Sequence, residues 1–202
     1  MPPVFFLNLP IRSHWPQNVF ILLIERIQRH FAIRALGKVL RASPRRPKVI
    51  NLKQARMIGI LYLMENAEDL AEVESFASRL RISGKKVVIL GFHPGKKLPV
   101  YFTPTGQNEC LTRKDLNWNQ IPGSASAGGF LQNAFDLLID LSPAACLPMK
   151  YIAALTDAAF RVGEHHSDSI PVFDLLIRRD ADKPLQHFIL QLEHYLEILN
   201  PS

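Results

Sequence analysis

Cysteine is scarce in this chain, and the two present, Cys110 and Cys146, cannot build a disulfide framework. No Cys-x-x-Cys pair and no Cys/His spacing of the zinc type accompanies them, so no metal site is expected and a reducing cytoplasm is the expected compartment. Long apolar runs are lacking too. The Val19–Ile24 run is stopped by Glu25 and Arg26, far short of the roughly 20 apolar residues that a spanning helix needs. Met1–Leu9 has no Lys or Arg before its short apolar stretch and no small-residue cleavage site after it, which argues against a secretory signal. The G-x-x-x-x-G-K-[ST] spacing of a phosphate-binding loop is absent as well.

Acidic residues are missing from one region in particular. Residues 1–56 hold eleven Lys or Arg against a single acid, Glu25, whereas the remainder of the chain carries 13 basic and 17 acidic residues. A cationic arm is therefore joined to a mildly acidic body. At 202 residues, 48% of them hydrophobic, the body can bury one substantial core but not two nucleotide-binding domains.

What is present is a βα pattern. Phe135–Leu141 is a continuous apolar run, followed by a helical segment beginning near Pro148, where a missing N–H costs nothing, and then by a second apolar run, Ala159–Gly163. Such runs without polar alternation belong to strands covered on both faces, and strand–helix–strand makes a parallel unit. Met57–Leu63 and Lys86–Phe92 read as two further strands. Between them Asn66 is a suitable N-cap, Leu70, Val73, Phe76, Ala77 and Leu80 form a helical core face, and Gly84 closes the helix. Val100–Thr103 is read as a short third strand, Arg113–Trp118 as a short helix, Gly123–Gly129 as a flexible stretch and Val172–Ile177 as a last strand. A closing helix starts near Pro184. The expected fold is a single Rossmann-like α/β domain over residues 47–202, with about five mostly parallel strands and helices on both faces.

Ahead of it, residues 1–17 contain four prolines and no sustained period and are expected to be poorly ordered. From Asn18 to Leu40 the pattern is helical: Phe20, Ile24, Ile27, Phe31 and Ala35 make an apolar stripe, and Arg26, His30, Arg34, Lys38 and Arg41 line another face. Ser43–Pro47 ends the helix as a charged linker, completing an arm over 18–46. Phe-Asp-Leu-Leu-Ile occurs at both 135–139 and 173–177, which two buried strands drawing on one apolar alphabet explain without duplication.

The blocks AFDLLIDLSPAACLPMKYIAALTDAAFRVG (134–163), RKDLNW (113–118) and PKVINLKQARMIGILY (47–62) resemble a bacterial family of small α/β proteins defined only as a domain of unknown function. The resemblance runs from the first helix to the C-terminus and implies the fold without an activity. A fainter one connects the chain to the acceptor-side domain of heptosyltransferase-like glycosyltransferases. In those enzymes a D-L-x-I-D-L strand leads through a helix to a strand ending R-x-G, as Asp136–Leu141 and Arg161–Gly163 do. Here the loop Met64-Glu65-Asn66-Ala67 lacks that family's Gly-rich turn, and a sugar-nucleotide domain is not included.

In a parallel sheet, ligands bind outside the carboxyl ends of the strands. That rim is expected to collect Glu65 and Asn66; His93, Gly95, Lys96 and Lys97; Asp140, Ser142 and Cys146; and Glu164, His165 and His166. Asp136 and Asp174 begin their strands and belong to the other edge. Gly91–Lys97 could cradle an anion or form a solvated turn. Cys146 could be a helix-terminus nucleophile or a small buried hydrophobe, and Asp140 a ligand for a hydroxyl or a cap of the next turn. Adjacent histidines at 165 and 166 do not make a metal set, and Trp118 could stack on a ring ligand or anchor its loop. Arg26, Arg29, Arg34, Lys38, Arg41, Arg45 and Arg46 are candidates for an anionic surface or acidic partner; without interleaved aromatics, specific nucleic-acid binding is not expected. The expected function is a non-catalytic, cofactor-free binding module for a small anionic or sugar-like ligand or an anionic partner. The alternative is a reduced glycosyltransferase-like enzyme using the same rim.

Overall fold

The computed structural model of the chain describes residues 17–42, 44–123, 125–165, 171–180 and 182–200. Residues 1–16, Ser43, Ser124, 166–170, Ala181 and 201–202 lie outside it, and with them the expected disorder of the N-terminus and the rim candidate His166. The elements run α1 (Gln17–Ala42), β1 (Met57–Leu63), α2 (Ala67–Ile82), β2 (Lys86–His93), β3 (Asn108–Thr112), a 3-10 turn (Arg113–Asp115), α3 (Gly128–Leu131), β4 (Ala134–Asp140), α4 (Leu147–Leu155), β5 (Asp157–Glu164), β6 (Leu175–Ile177) and α5 (Leu185–Ile198).

All five strand pairings are parallel, and the sheet order is β3-β2-β1-β4-β5-β6. This is the Rossmann order, in which the chain leaves β1 and β4 in opposite directions. Right-handed crossovers then put α2 and α4 on opposite faces. The core divides accordingly. Ile58, Ile60 and Tyr62 of β1 pack with α2 and α5 on one side. Leu61, Leu90 and Leu138 pack with Met149, Ile152 and Ala153 of α4, and with Leu36 of α1, on the other.

Local chemistry fixes the elements where the sequence places them. The Asn66 side chain accepts the Asp69 N–H at 2.8 Å and starts α2. Gly84 ends it with φ of 85°, a left-handed conformation that a Cβ would strain. Tyr62 stands opposite Gly91 in the β1–β2 register, and a Cβ on Gly91 would come within 2.8 Å of the Tyr62 ring. Only glycine admits that ring.

Two expectations are corrected. The third strand is Asn108–Thr112, not Val100–Thr103, which is irregular with Val100 fully exposed. β3 is an edge strand, so its Asn and Glu escape the two-sided burial that makes central strands legible. Among the described residues the sheet has six strands, in line with the expected five or so. The second correction concerns α1. Its buried face is Ala32 and Leu36, and Ile24, Ile27 and Phe31 of the apolar stripe remain exposed, in one band with Arg34, Lys38 and Arg41 rather than on a separate face.

Candidate functional site

The order reversal between β1 and β4 opens a crevice at their carboxyl ends, flanked by the starts of α2 and α4. β4 delivers Asp140 there. Leu138 and Asp140 are two residues apart, so both face α4, and the carboxylate lies beneath the start of that helix. It is 3% exposed. Its Oδ1 accepts the Ser142 backbone N–H at 2.9 Å. Burial pushes the Asp140 carboxyl up to about 7; Ser142 and the Lys150 ammonium oppose that rise, and the Glu164 carboxylate adds to it.

The Ser142 hydroxyl is the second distinctive group. Ser142 is 2% exposed, and its Oγ has no hydrogen-bonding partner of acceptable geometry. It lies near enough to Asp140 and to Cys146 to favour their ionised forms, but neither saturates it. A buried hydroxyl left in this state costs stability, on the order of 1–3 kcal/mol. Cys146 follows one turn later. Burial first, and the Asp140 charge second, push its thiol up to about 12, against the Met149 N–H that would favour thiolate. At neutral pH it is a thiol, which removes the basis for nucleophilic attack.

Two charged residues complete the cluster. Glu164, at the end of β5, accepts the Ala144 N–H at 2.8 Å and so ties the β4–α4 loop to the next strand. Lys150, four residues after Cys146 on α4, is buried. Sequence reasoning passed over Lys150; its signal is a lone cation inside the otherwise apolar run Leu147–Leu155.

The remaining rim candidates stand apart. Asn66 spends its side-chain oxygen on the α2 cap. His93 hydrogen-bonds the Met64 carbonyl through Nδ1 at 2.9 Å, which puts the proton on that nitrogen. It sits on β2, separated from β4 by β1. With neighbouring strands about 4.8 Å apart, His93 and Asp140 are on the order of 10 Å from each other. Lys96 and Lys97 are exposed in the loop beyond β2, and His165 is exposed with its backbone N–H donated to Ile177. Among the described residues no group of three or more His, Cys, Asp or Glu could hold a metal ion.

Asp136 and Asp174 lie at the amino edge, where both are structural acceptors. Asp136 takes the Arg56 and Met57 N–H groups at 2.8 and 2.9 Å. Asp174 takes the Arg161 N–H at 2.8 Å and both terminal nitrogens of Arg45 at 3.1 and 3.3 Å. Arg45, grouped by sequence with the solvent-facing cations, therefore fastens the linker to the body. Arg161 is buried, donates to the Ala154 and Thr156 carbonyls, and has its guanidinium pushed down to about 10 by burial.

On α1, Arg26, Arg29, Arg34, Lys38 and Arg41 are exposed, as is Arg46 beyond it. Arg34, Lys38 and Arg41 line a groove of about 940 Å³, closed by Phe31, Leu40, Asn119 and Pro171. Among the described residues no helix is long and apolar enough to cross a membrane.

With this geometry in place, residues 28–199 match the model of a family of unknown function, DUF6913, and the chain belongs to that family. No curated protein and no solved structure matches it.

Proposed function

We propose that this protein is a cytoplasmic, non-catalytic binding module that holds a small hydroxylated, sugar-like ligand at the β1–β4 crevice and meets an anionic partner through α1. The observation that carries the ligand half is the pairing of a buried Asp140 carboxylate with the buried, unpartnered Ser142 hydroxyl. A ligand hydroxyl would donate to Asp140 and accept from Ser142, supplying the bond that the Ser142 hydroxyl lacks and a further donor to the buried carboxylate. The surroundings favour a neutral ligand over an anion. Glu65, Asp140 and Glu164 bring three carboxylates, while Lys150 brings one ammonium, so a second anion would be repelled. Binding favours the ionised acceptor, so affinity rises with pH through about 7, where Asp140 titrates. The unpaired thiols of Cys110 and Cys146 suit a reducing compartment.

The test is calorimetric titration and thermal shift across neutral sugars, polyols, sugar phosphates and nucleotide sugars, with the full chain and its Asp140→Ala and Ser142→Ala variants. A neutral hydroxylated compound should bind saturably, and both variants should weaken it at least tenfold. Indifference of every bound compound to both substitutions would remove the crevice as the site. Turnover of a nucleotide sugar that disappears in Asp140→Ala would replace this reading with the glycosyltransferase-like one.

A further inference from the structure

The exposed face of α1 is divided along its length. At 100° per residue, Leu23, Ile27 and Phe31 share one band, about 80° wide, with Arg34, Lys38 and Arg41. Ala32 and Leu36, which bury against the body, lie on the opposite side. The outward face is therefore apolar over its first turns and cationic over its last. Leu22, Leu23, Ile24, Ile27 and Phe31 are between 40% and 63% exposed, and Trp118, 62% exposed, sets its ring edge-on to Phe31 at 5.1 Å. Leu22 lies off that band, but the other four with Trp118 make five large apolar side chains in one exposed patch, which exceeds what isolated surface residues account for.

We propose that α1 lies in the plane of an anionic lipid bilayer, with Leu23, Ile27, Phe31 and Trp118 entering the acyl boundary and Arg34, Lys38 and Arg41 resting on the headgroups. This specifies the anionic partner of the preceding section and rests on that α1 reading, not on the crevice ligand. Charge decides the occupant. The helix carries five Lys or Arg against one Glu25, a surplus that attracts anionic headgroups, while the aliphatic and aromatic patch beside it buries favourably only in an apolar phase. A polyanion such as RNA would satisfy the cations and leave the patch in water. The six charges also keep α1 from crossing the bilayer.

The experiment is co-sedimentation of the full chain with phosphatidylcholine vesicles, with and without phosphatidylglycerol, at low and high salt, beside binding to immobilised heparin. Binding to the anionic vesicles is expected, weakened by salt and by about fivefold for each of Arg34→Gln, Lys38→Gln and Arg41→Gln. Leu23→Ser with Ile27→Ser should abolish it while sparing heparin binding. Brominated lipid should quench tryptophan fluorescence in the native chain and less so in Trp118→Phe. If the protein binds heparin but no vesicle, the anionic-partner reading stands and the lipid inference fails. If it binds neither, both fall. Self-association in sedimentation velocity that is lost in the Leu23→Ser, Ile27→Ser variant, with no vesicle binding, would assign the patch to a second copy of the chain instead.

Discussion

The two edges of the sheet use the same residue type for opposite ends. At the amino edge Asp136 and Asp174, the second residues of the two Phe-Asp-Leu-Leu-Ile copies or their equivalents at strand starts, each collect at least two hydrogen bonds, and Asp174 adds the forked Arg45 pair. At the carboxyl edge Asp140 is more deeply buried than either, yet accepts one backbone N–H and sits beside a hydroxyl with no partner. An edge whose carboxylates are saturated locks the chain in register. One that buries a carboxylate beside an unpartnered hydroxyl retains a cost that folding alone does not require, and such costs concentrate at binding sites.

The largest effect expected from breaking this contrast is at Asp174. Asp174→Ala strands the Arg161 N–H and strips Arg45 of its counter-charge in a part-buried setting. Unfolding in urea should show a loss of about 2–4 kcal/mol. Asp136→Ala follows, with the Arg56 and Met57 N–H groups left without their acceptor and a loss of about 1–3 kcal/mol. A loss under about 0.5 kcal/mol at both positions would erase the distinction between the edges.

How much of this was legible depends on two-sided burial. β1, β4 and β5 announce themselves because both faces are covered, and α2 because its N-cap, core spacing and closing glycine agree. β3 was hidden by being an edge strand, where Asn108 and Glu109 are tolerated. The α1 stripe was legible as apolar, but its exposure was not: hydrophobic periodicity reports a face that avoids water, not what covers it. At the crevice, Asp140, Ser142 and Cys146 were found because a polar group ending an apolar strand is conspicuous. Lys150 was not, because a helix tolerates one cation, and only the fold reveals that its position is buried.

Asp140 sharpens the comparison by changing sign. Its carboxyl titrates near 7 in the folded chain against an ordinary 3.8. Between those values the unfolded chain has released a proton that the folded chain retains, so this group makes stability fall as pH rises from about 4 to about 7. Asp140→Asn keeps an oxygen for the Ser142 N–H and removes the charge. It should stabilise the protein by about 1–2 kcal/mol at pH 8, with the gain shrinking toward pH 4, in denaturation curves taken across that range. The same substitution is expected to weaken the sugar-like ligand, since the strongest acceptor is gone.

Ser142→Ala is the smallest and most discriminating case. Deleting a buried hydroxyl that has no hydrogen bond of acceptable geometry removes its desolvation cost, so the apo protein should gain about 1 kcal/mol of stability. A structural serine and a binding serine diverge here. If the hydroxyl were a cap whose bond is merely strained, its loss would cost about 1 kcal/mol, as cap deletions do, and ligand affinity would be untouched. If it is held in reserve for a ligand, the apo protein gains from its loss and the stabilisation conferred by saturating ligand drops by the strength of one hydrogen bond, about 1 kcal/mol. Thermal unfolding with and without ligand separates these outcomes on a single pair of proteins.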